Sequence, residues 1–280
     1  IALTFVMGLV AYERILRRQS RRWTEGIAGG EAPAWKLHGA RAIAAQSLGI
    51  ISPLFTLGIP IFWIINNIDQ IYKGLDTELL ILTLRSIFLG ILAIVLTILS
   101  SLIITITKRW NNRSWIKLLS FISGIGYAIP GAVLALGLLS FRGDKLIISS
   151  IVLLLWGYCV RFIAIPKGGL EAAFERISPS IDEAATSLGC KWDDVLKRVH
   201  LPLLKGPLAV GSLLVFVDTL KELPLTFILR PFDFDTLSVR IFQYAGDERM
   251  AESILPAIII IALGLVASAA LIPSLEHKDE

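Results

Sequence analysis

Long apolar runs separated by short charged stretches set the pattern of this chain. Six of them, near 43–66, 80–107, 116–140, 146–165, 207–229 and 253–275, are continuous rather than alternating. Each is long enough to cross a bilayer core of about 30 Å as a helix. A seventh run opens the chain, IALTFVMGLV, and is shorter than the roughly 20 residues a span needs. Its charges follow it, in YERILRRQSRR, whereas a secretory signal places positive residues first. The expected organisation is a truncated helix over 1–16, a basic linker over 17–42, a six-helix domain over 43–275 and a short tail over 276–280.

One stretch, DEAATSLGCKWDDVLKRVHLPLL over 182–204, breaks the pattern by carrying charge between two spans. Ser178 and Pro179 form a helix start, with Ser capping free amides and Pro at the first helical position. Asp182 and Glu183 then fall in the first turn, where the helix dipole favours negative charge. Ile181, Ala184, Ala185 and Leu188 make one apolar stripe, and Gly189 supplies a left-handed stop. A second helix is expected with Trp192, Val195, Leu196 and Val199 on one face and the pairs Asp193–Lys197 and Asp194–Arg198 on the other. Pro202 and Pro207 are expected to bracket the return to the membrane. The plain alternative is an amphipathic surface hairpin, with His200 as a satisfied surface group.

Composition agrees with a membrane protein: 55% of residues are hydrophobic, 18% are charged, and the mean hydropathy is +0.71. The net charge of +4 does not call for nucleic acid, because the basic residues lie between apolar runs and not on one soluble face. Connections 17–42, 108–117 and 166–206 and the tail hold 17 Lys and Arg, against 6 in the alternate connections. This asymmetry puts the 182–204 stretch and the C-terminus in the cytoplasm, with 67–79 and 230–252 outside. Cys159 and Cys190 match neither a disulfide framework nor a metal spacing. His38, His200 and His277 are scattered, and no phosphate-loop, H-E-x-x-H or G-x-S-x-G pattern occurs in the sequence.

Asp218, Lys221 and Glu222 fall at i, i+3 and i+4 inside the fifth apolar run, and so on one helical face. Ionisable groups at membrane depth are costly and face a partner or a water-filled path. A structural ion pair with Lys221, Arg85 or Arg161 competes with a pathway role. Pro224 is placed to break the helix near that point. In GYAIPGAVLALGLL over 126–139, Ala128 with Ala132 and Gly131 with Ala135 allow close helix approach, and Pro130 kinks the span.

Glu183-Ala184-Ala185, then Gly189 after three positions, then Val199-x-Leu201-Pro202 after nine more, resemble the EAA loop of ABC-transporter permeases. Val199 stands where that family more often has Ile. Glu171-Ala172-Ala173 is a decoy, since Ile177 follows where Gly is needed. Segments 2–18, 126–139 and 218–253 resemble permeases of bacterial ferric-iron uptake systems, which are commonly double-length. The resemblance implies an all-α integral membrane protein with the type-I ABC permease helical bundle, the C-terminal half of an iron importer permease in the bacterial cytoplasmic (inner) membrane.

By that resemblance, Glu183, Ala184, Ala185, Gly189, Val199, Leu201 and Pro202 couple to a dimer of ATP-binding subunits. ATP and Mg are used by those subunits, and the chain itself is a non-enzymatic permease binding no cofactor. Asp218, Lys221, Glu222, Pro130, Arg85 and Arg161 become candidates for the translocation path. Asp218 and Glu222 would offer transient oxygen ligands to ferric iron, a hard ion. Asp233, Asp235, Asp247, Glu248 and Arg249 become candidates for docking an external iron-binding protein. The other permease half, in the same polypeptide or a second copy, is a further implied partner.

Thiamine, sulfate and polyamine permeases share the loop and the spans. A secondary transporter would also explain buried Asp, Lys and Glu, but it has no ATPase to grip. An embedded enzyme lacks a metal or nucleophile constellation, and a passive channel leaves the cytoplasmic hairpin unexplained.

Overall fold

The computed structural model describes residues 37–69, 76–111, 113–142 and 149–276. The expected helix over 1–16, most of the basic linker and the last four residues of the chain lie outside these. The chain divides between Tyr72 and Lys73 into two compact units. In the first, α1 (Ala40–Asn66) is long and apolar enough to cross a membrane and carries Pro53 and Pro60 within it.

The second unit is entirely helical among the described residues. Its longest helix, α2 (Thr77–Trp110), starts on Asp76, whose side chain accepts from the Leu79 amide at 2.8 Å. Lys108 and Arg109 in its last turn complement the negative end of the dipole. One face of α2 is small or hydroxylic and buried: Ser86, Gly90, Ala93, Thr97, Ser101 and Thr105. Such a face lets neighbouring backbones come close. The hydroxyls of Ser86, Thr97 and Thr105 donate to carbonyls one turn back, and the Ser86 oxygen also accepts from the Leu237 amide at 3.0 Å.

The third apolar run is broken just before Pro130, the expected kink. It divides into α3 (Ser114–Ser123), a single 3-10 turn over Gly126–Ala128 and α4 (Gly131–Arg142), bent by 115° at the break. Pro130 has no amide to continue a helix, and Ile129 before it is extended at ψ 127°. The fourth run is longer than expected: α5 (Ser150–Phe162) continues almost directly into α6 (Ala164–Arg176).

The charged stretch forms α7 (Pro179–Ser187) and then α8 (Trp192–Val195), which runs through a π-turn over Leu196–His200 into α9 (Leu201–Leu220). The second helix of the expected hairpin is therefore the start of the fifth span, with no bracket at Pro202 and Pro207. The Leu201 amide bonds Leu196 O, five residues back. This widened turn delivers Pro202 to the first turn of α9, where a missing amide costs little.

Helix α9 ends at Leu220, before the fifth apolar run does, and Pro224 opens the short α10 (Pro224–Leu229). The 230–252 connection is not all loop, because Thr236 caps α11 (Leu237–Gly246), and α12 (Ile254–Glu276) is the last described element. Leu89, Ala93, Ala135, Leu138, Leu153, Leu154, Tyr158, Phe162, Val215, Leu225 and Leu229 form the core that joins α2, α4, α5, α9 and α10. A smaller cluster, Leu170, Phe174 and Leu204, packs α6 against the beginning of α9.

Candidate functional site

Helix α7 projects its apolar stripe outward. Leu188 is 85% exposed and Ile181 40%, and no residue of the helix is buried. Ser178 caps the helix by accepting from the Ser180 amide at 3.3 Å. Gly189 ends it at φ 82°, with Cys190 N bonding Ala185 O and Gly189 N bonding Thr186 O. This pair of bonds closes the left-handed stop expected at Gly189. Of the second expected stripe, Val195 is buried and Leu196 and Val199 are half-buried, while Trp192 is 66% exposed. The Asp194–Arg198 pair forms at 3.7 Å on the exposed side.

What holds α7 in place has no signal in the local sequence. Arg109, at the end of α2, donates through Nε to Asp182 Oδ2 at 2.8 Å. Its Nη1 reaches the carbonyls of Phe174 and Ile177 at 3.0 and 3.2 Å, and Nη2 reaches those of Ile177 and Ser178 at 3.3 and 3.4 Å. His200 Nε2 lies 2.9 Å from the other Asp182 oxygen. His200 is no surface group: it is fully buried against the rings of Phe174 and Trp110, with centroids 5.2 and 6.0 Å away. Beside this joint, Glu171 of the decoy tripeptide receives Lys108 and Ser120, each at 2.8 Å, with Lys167 at 3.5 Å.

At the far end of α9 the three ionisable candidates do not share a face. The helix ends before Lys221, so Lys221 stays exposed and pairs with Asp218 at 2.8 Å, while Glu222 turns inward and is 7% exposed. Tyr127, in the 3-10 turn, donates to Asp218 at 3.2 Å. Arg161 Nε lies 3.2 Å from Glu222 Oε2, and its Nη1 donates to Ile129 O at 2.6 Å. The carbonyl freed by the break before Pro130 thus gains a cationic donor. Arg85 is elsewhere: it donates to the Asp233 carbonyl at 2.8 Å and stacks over Phe234.

The docking candidates also separate. Asp235 is turned inward, bonded to Arg230 and 3.6 Å from Arg240, so it anchors its loop and does not face a partner. Arg249 is paired with Glu252, and its hydrogen bond holds the Glu252 carboxyl below the usual range. Arg240 also bonds Glu78, which raises the guanidinium pKa further. Asp233, Asp247 and Glu248 are exposed, the first and last with φ near 60°. No group of three or more His, Cys, Asp or Glu among the described residues is placed to hold a metal ion.

The family model described as "binding-protein-dependent transport system inner membrane component" matches residues 100–272. The chain is 26% identical over 227 residues to the Fe(3+)-transport system permease protein FbpB 2 of Haemophilus influenzae, covering 77% of this chain and 44% of that protein. It thus spans less than half the length of that relative. It is also 26% identical over 185 residues to a putative 2-aminoethylphosphonate transport system permease protein, PhnV, of Salmonella typhimurium, covering 65% of this chain and 70% of that one. Among solved structures, a bacterial ABC transporter involved in import of the acidic polysaccharide alginate superposes with a TM-score of 0.66 at 15% identity, covering 85% of this chain and 96% of that one. That likeness concerns the fold.

Proposed function

The chain belongs to the family of binding-protein-dependent transport system inner membrane components, and from that premise we propose that it is a permease subunit of an ATP-driven importer whose cargo is ferric iron. The observation that carries the coupling role is α7. This helix is held at its base by Arg109 and leaves Ile181, and Leu188 at its end, exposed among the described residues. A groove on an ATP-binding subunit is the cover that an importer supplies, with Glu183, Ala184, Ala185 and Gly189 at the contact and Val199, Leu201 and Pro202 continuing into the span.

Closure of two such subunits on ATP and Mg would push α7 and switch the bundle between outward- and inward-open states. The permease contributes no hydrolytic group of its own. The 178–204 loop and the C-terminus would face the cytoplasm, and the 230–252 segment would face an iron-loaded binding protein through Asp233, Asp247 and Glu248. The breaks at Pro130 and after Leu220 put Asp218, Lys221, Arg161 and Glu222 near interrupted backbone, which membrane proteins tolerate where it is buried in protein or lines a cavity. Asp218 and Glu222 would offer ferric iron its oxygen contacts on the way through.

Iron as cargo is supported by the Haemophilus relative. The Salmonella relative makes a small organophosphonate the second reading. The test is uptake of labelled ferric iron and of 2-aminoethylphosphonate in cells carrying the full-length protein, wild type against Gly189→Asp and Glu183→Arg. Loss of iron uptake together with loss of ATPase co-purification, with membrane insertion intact, is the expected result. Undiminished uptake and ATPase binding would overturn the coupling role, and phosphonate uptake without iron uptake would overturn the cargo.

A further inference from the structure

Three stretches of the chain, the end of α2, the start of α7 and the π-turn, meet at one carboxylate. Asp182 sits in the first turn of α7 and is bonded by Arg109 from the end of α2 at 2.8 Å, while His200 from the π-turn lies 2.9 Å from its second oxygen. The Arg109 guanidinium also spans the carbonyls of Phe174, Ile177 and Ser178, which end α6 and lead into α7, and its Cζ lies 5.2 Å from the Phe174 ring centroid. The Arg109 and Asp182 side chains are only 12% and 19% exposed.

We infer that Asp182 is a positioning residue for transport: through Arg109 it ties the coupling helix to α2, so that a push on α7 moves the longest span. This inference rests on the permease reading above. It follows from how α7 is held. The helix buries none of its own residues, so it has no apolar seat through which to pass force. Among the described residues, this charge-assisted joint is what ties it to α2. A planar guanidinium with its donors fixed in a fork resists rotation in a way a single ammonium cannot. At the other side of the joint, α2 packs along α9, α6 and α5, so a displacement of its end reaches most of the bundle. The π-turn at 196–200 brings His200 Nε2 to 2.9 Å from the same carboxylate, so the start of α9 lies against the joint.

The experiment uses the complete transporter: full-length permease, ATP-binding subunits and iron-loaded binding protein in liposomes. For each variant the ratio of binding-protein-stimulated to basal ATP hydrolysis is read beside the amount of ATPase that co-purifies. Asp182→Asn is expected to keep the ATPase while the ratio falls at least tenfold, and Asp182→Glu to return it to within about threefold of wild type. Arg109→Lys, which keeps the charge and loses the fork, should behave like Asp182→Asn. A ratio within twofold of wild type in Asp182→Asn would overturn the inference. So would loss of the ATPase from Asp182→Asn and Asp182→Glu alike, since that marks a direct contact. A wild-type complex with no stimulation at all would overturn the permease reading itself.

Discussion

Arg161 and Glu222 fasten two broken helices to each other. The guanidinium on α5 holds the carboxylate after α9 at 3.2 Å and the carbonyl before Pro130 at 2.6 Å. Because the pair is largely out of solvent, removing either partner leaves an uncompensated charge, at a cost of about 3–5 kcal/mol. Glu222→Ala and Arg161→Met should each lower the melting temperature of the detergent-purified protein. The double variant should melt above either single one, since it buries no lone charge. If Glu222→Ala left uptake and complex assembly both intact, Glu222 would have no part in the path.

Gly126 lies so close to α5 that a Cβ there would meet Val160 O at 1.9 Å. Backbone cannot step aside cheaply, so Gly126→Ala should displace the 3-10 turn and cost at least about 1–3 kcal/mol, the range for overpacking. Gly137 on α4 has nothing within 4 Å, so Gly137→Ala should gain up to about 1 kcal/mol from helix propensity alone. Thermal unfolding of the two variants side by side checks both signs. A stable Gly126→Ala protein would mean that the break and α5 are not packed as described.

Much of this architecture is legible along the chain, because burial in lipid demands long uninterrupted apolar runs and these are hard to mistake. The stop at Gly189 is equally visible, since a glycine directly after an amphipathic helix marks the left-handed turn that ends it. Contacts between runs are not visible. Arg109 closes an apolar run and reads as a residue reaching the interface, and no local pattern ties it to Asp182, 73 positions away. A shared face for Asp218, Lys221 and Glu222 requires helical periodicity to run past Leu220, and Pro224 already argues against that. Helix α11 has its own signals, a Thr236 cap with Leu237, Ile241 and Ala245 at one-turn spacing, which the charges around them obscure.

At Gly189 the strain of a substitution is separable from crowding, because φ is 82° and no atom lies within 4 Å of an added Cβ. Gly189→Ala should cost about 1–2 kcal/mol for the left-handed backbone, and Gly189→Asn less, since Asn visits that region more readily. ATPase co-purification should follow the same order, wild type above Asn above Ala. Equal retention by Asn and Ala would show that backbone conformation at this turn does not control the coupling helix.

Leu188 and Val195 separate contact with a partner from stability of the fold. Leu188 is 85% exposed, so Leu188→Ala should change melting by no more than a surface substitution does, within about 0.5 kcal/mol. It should nonetheless weaken ATPase co-purification, because that face is proposed to be covered only in the complex. Val195 is 3% exposed, so Val195→Ala should lower melting first and affect the complex only through it. A Leu188→Ala protein that retains the ATPase as wild type does would place the contact elsewhere on the loop.

A chain of hydroxyls closes the break after Leu220 from within. Tyr158 and Thr226 share a hydrogen bond of 2.6 Å, Thr226 donates to the Glu222 carbonyl at 2.6 Å, and Ser238 donates to the same carbonyl at 3.1 Å. Since Thr226 spends its proton on Glu222, Tyr158 is the donor in the first bond. Tyr158→Phe removes that donor and leaves the rest satisfied, so it should cost about 1 kcal/mol. Thr226→Val breaks two bonds and leaves the Tyr158 hydroxyl buried and unpaired, a penalty of about 1–3 kcal/mol on its own. Combining the two changes removes that stranded hydroxyl, so Tyr158→Phe/Thr226→Val should be less destabilised than the sum of the single variants. A strictly additive result in thermal unfolding would mean that the Tyr158–Thr226 bond contributes nothing to holding α10 on α5.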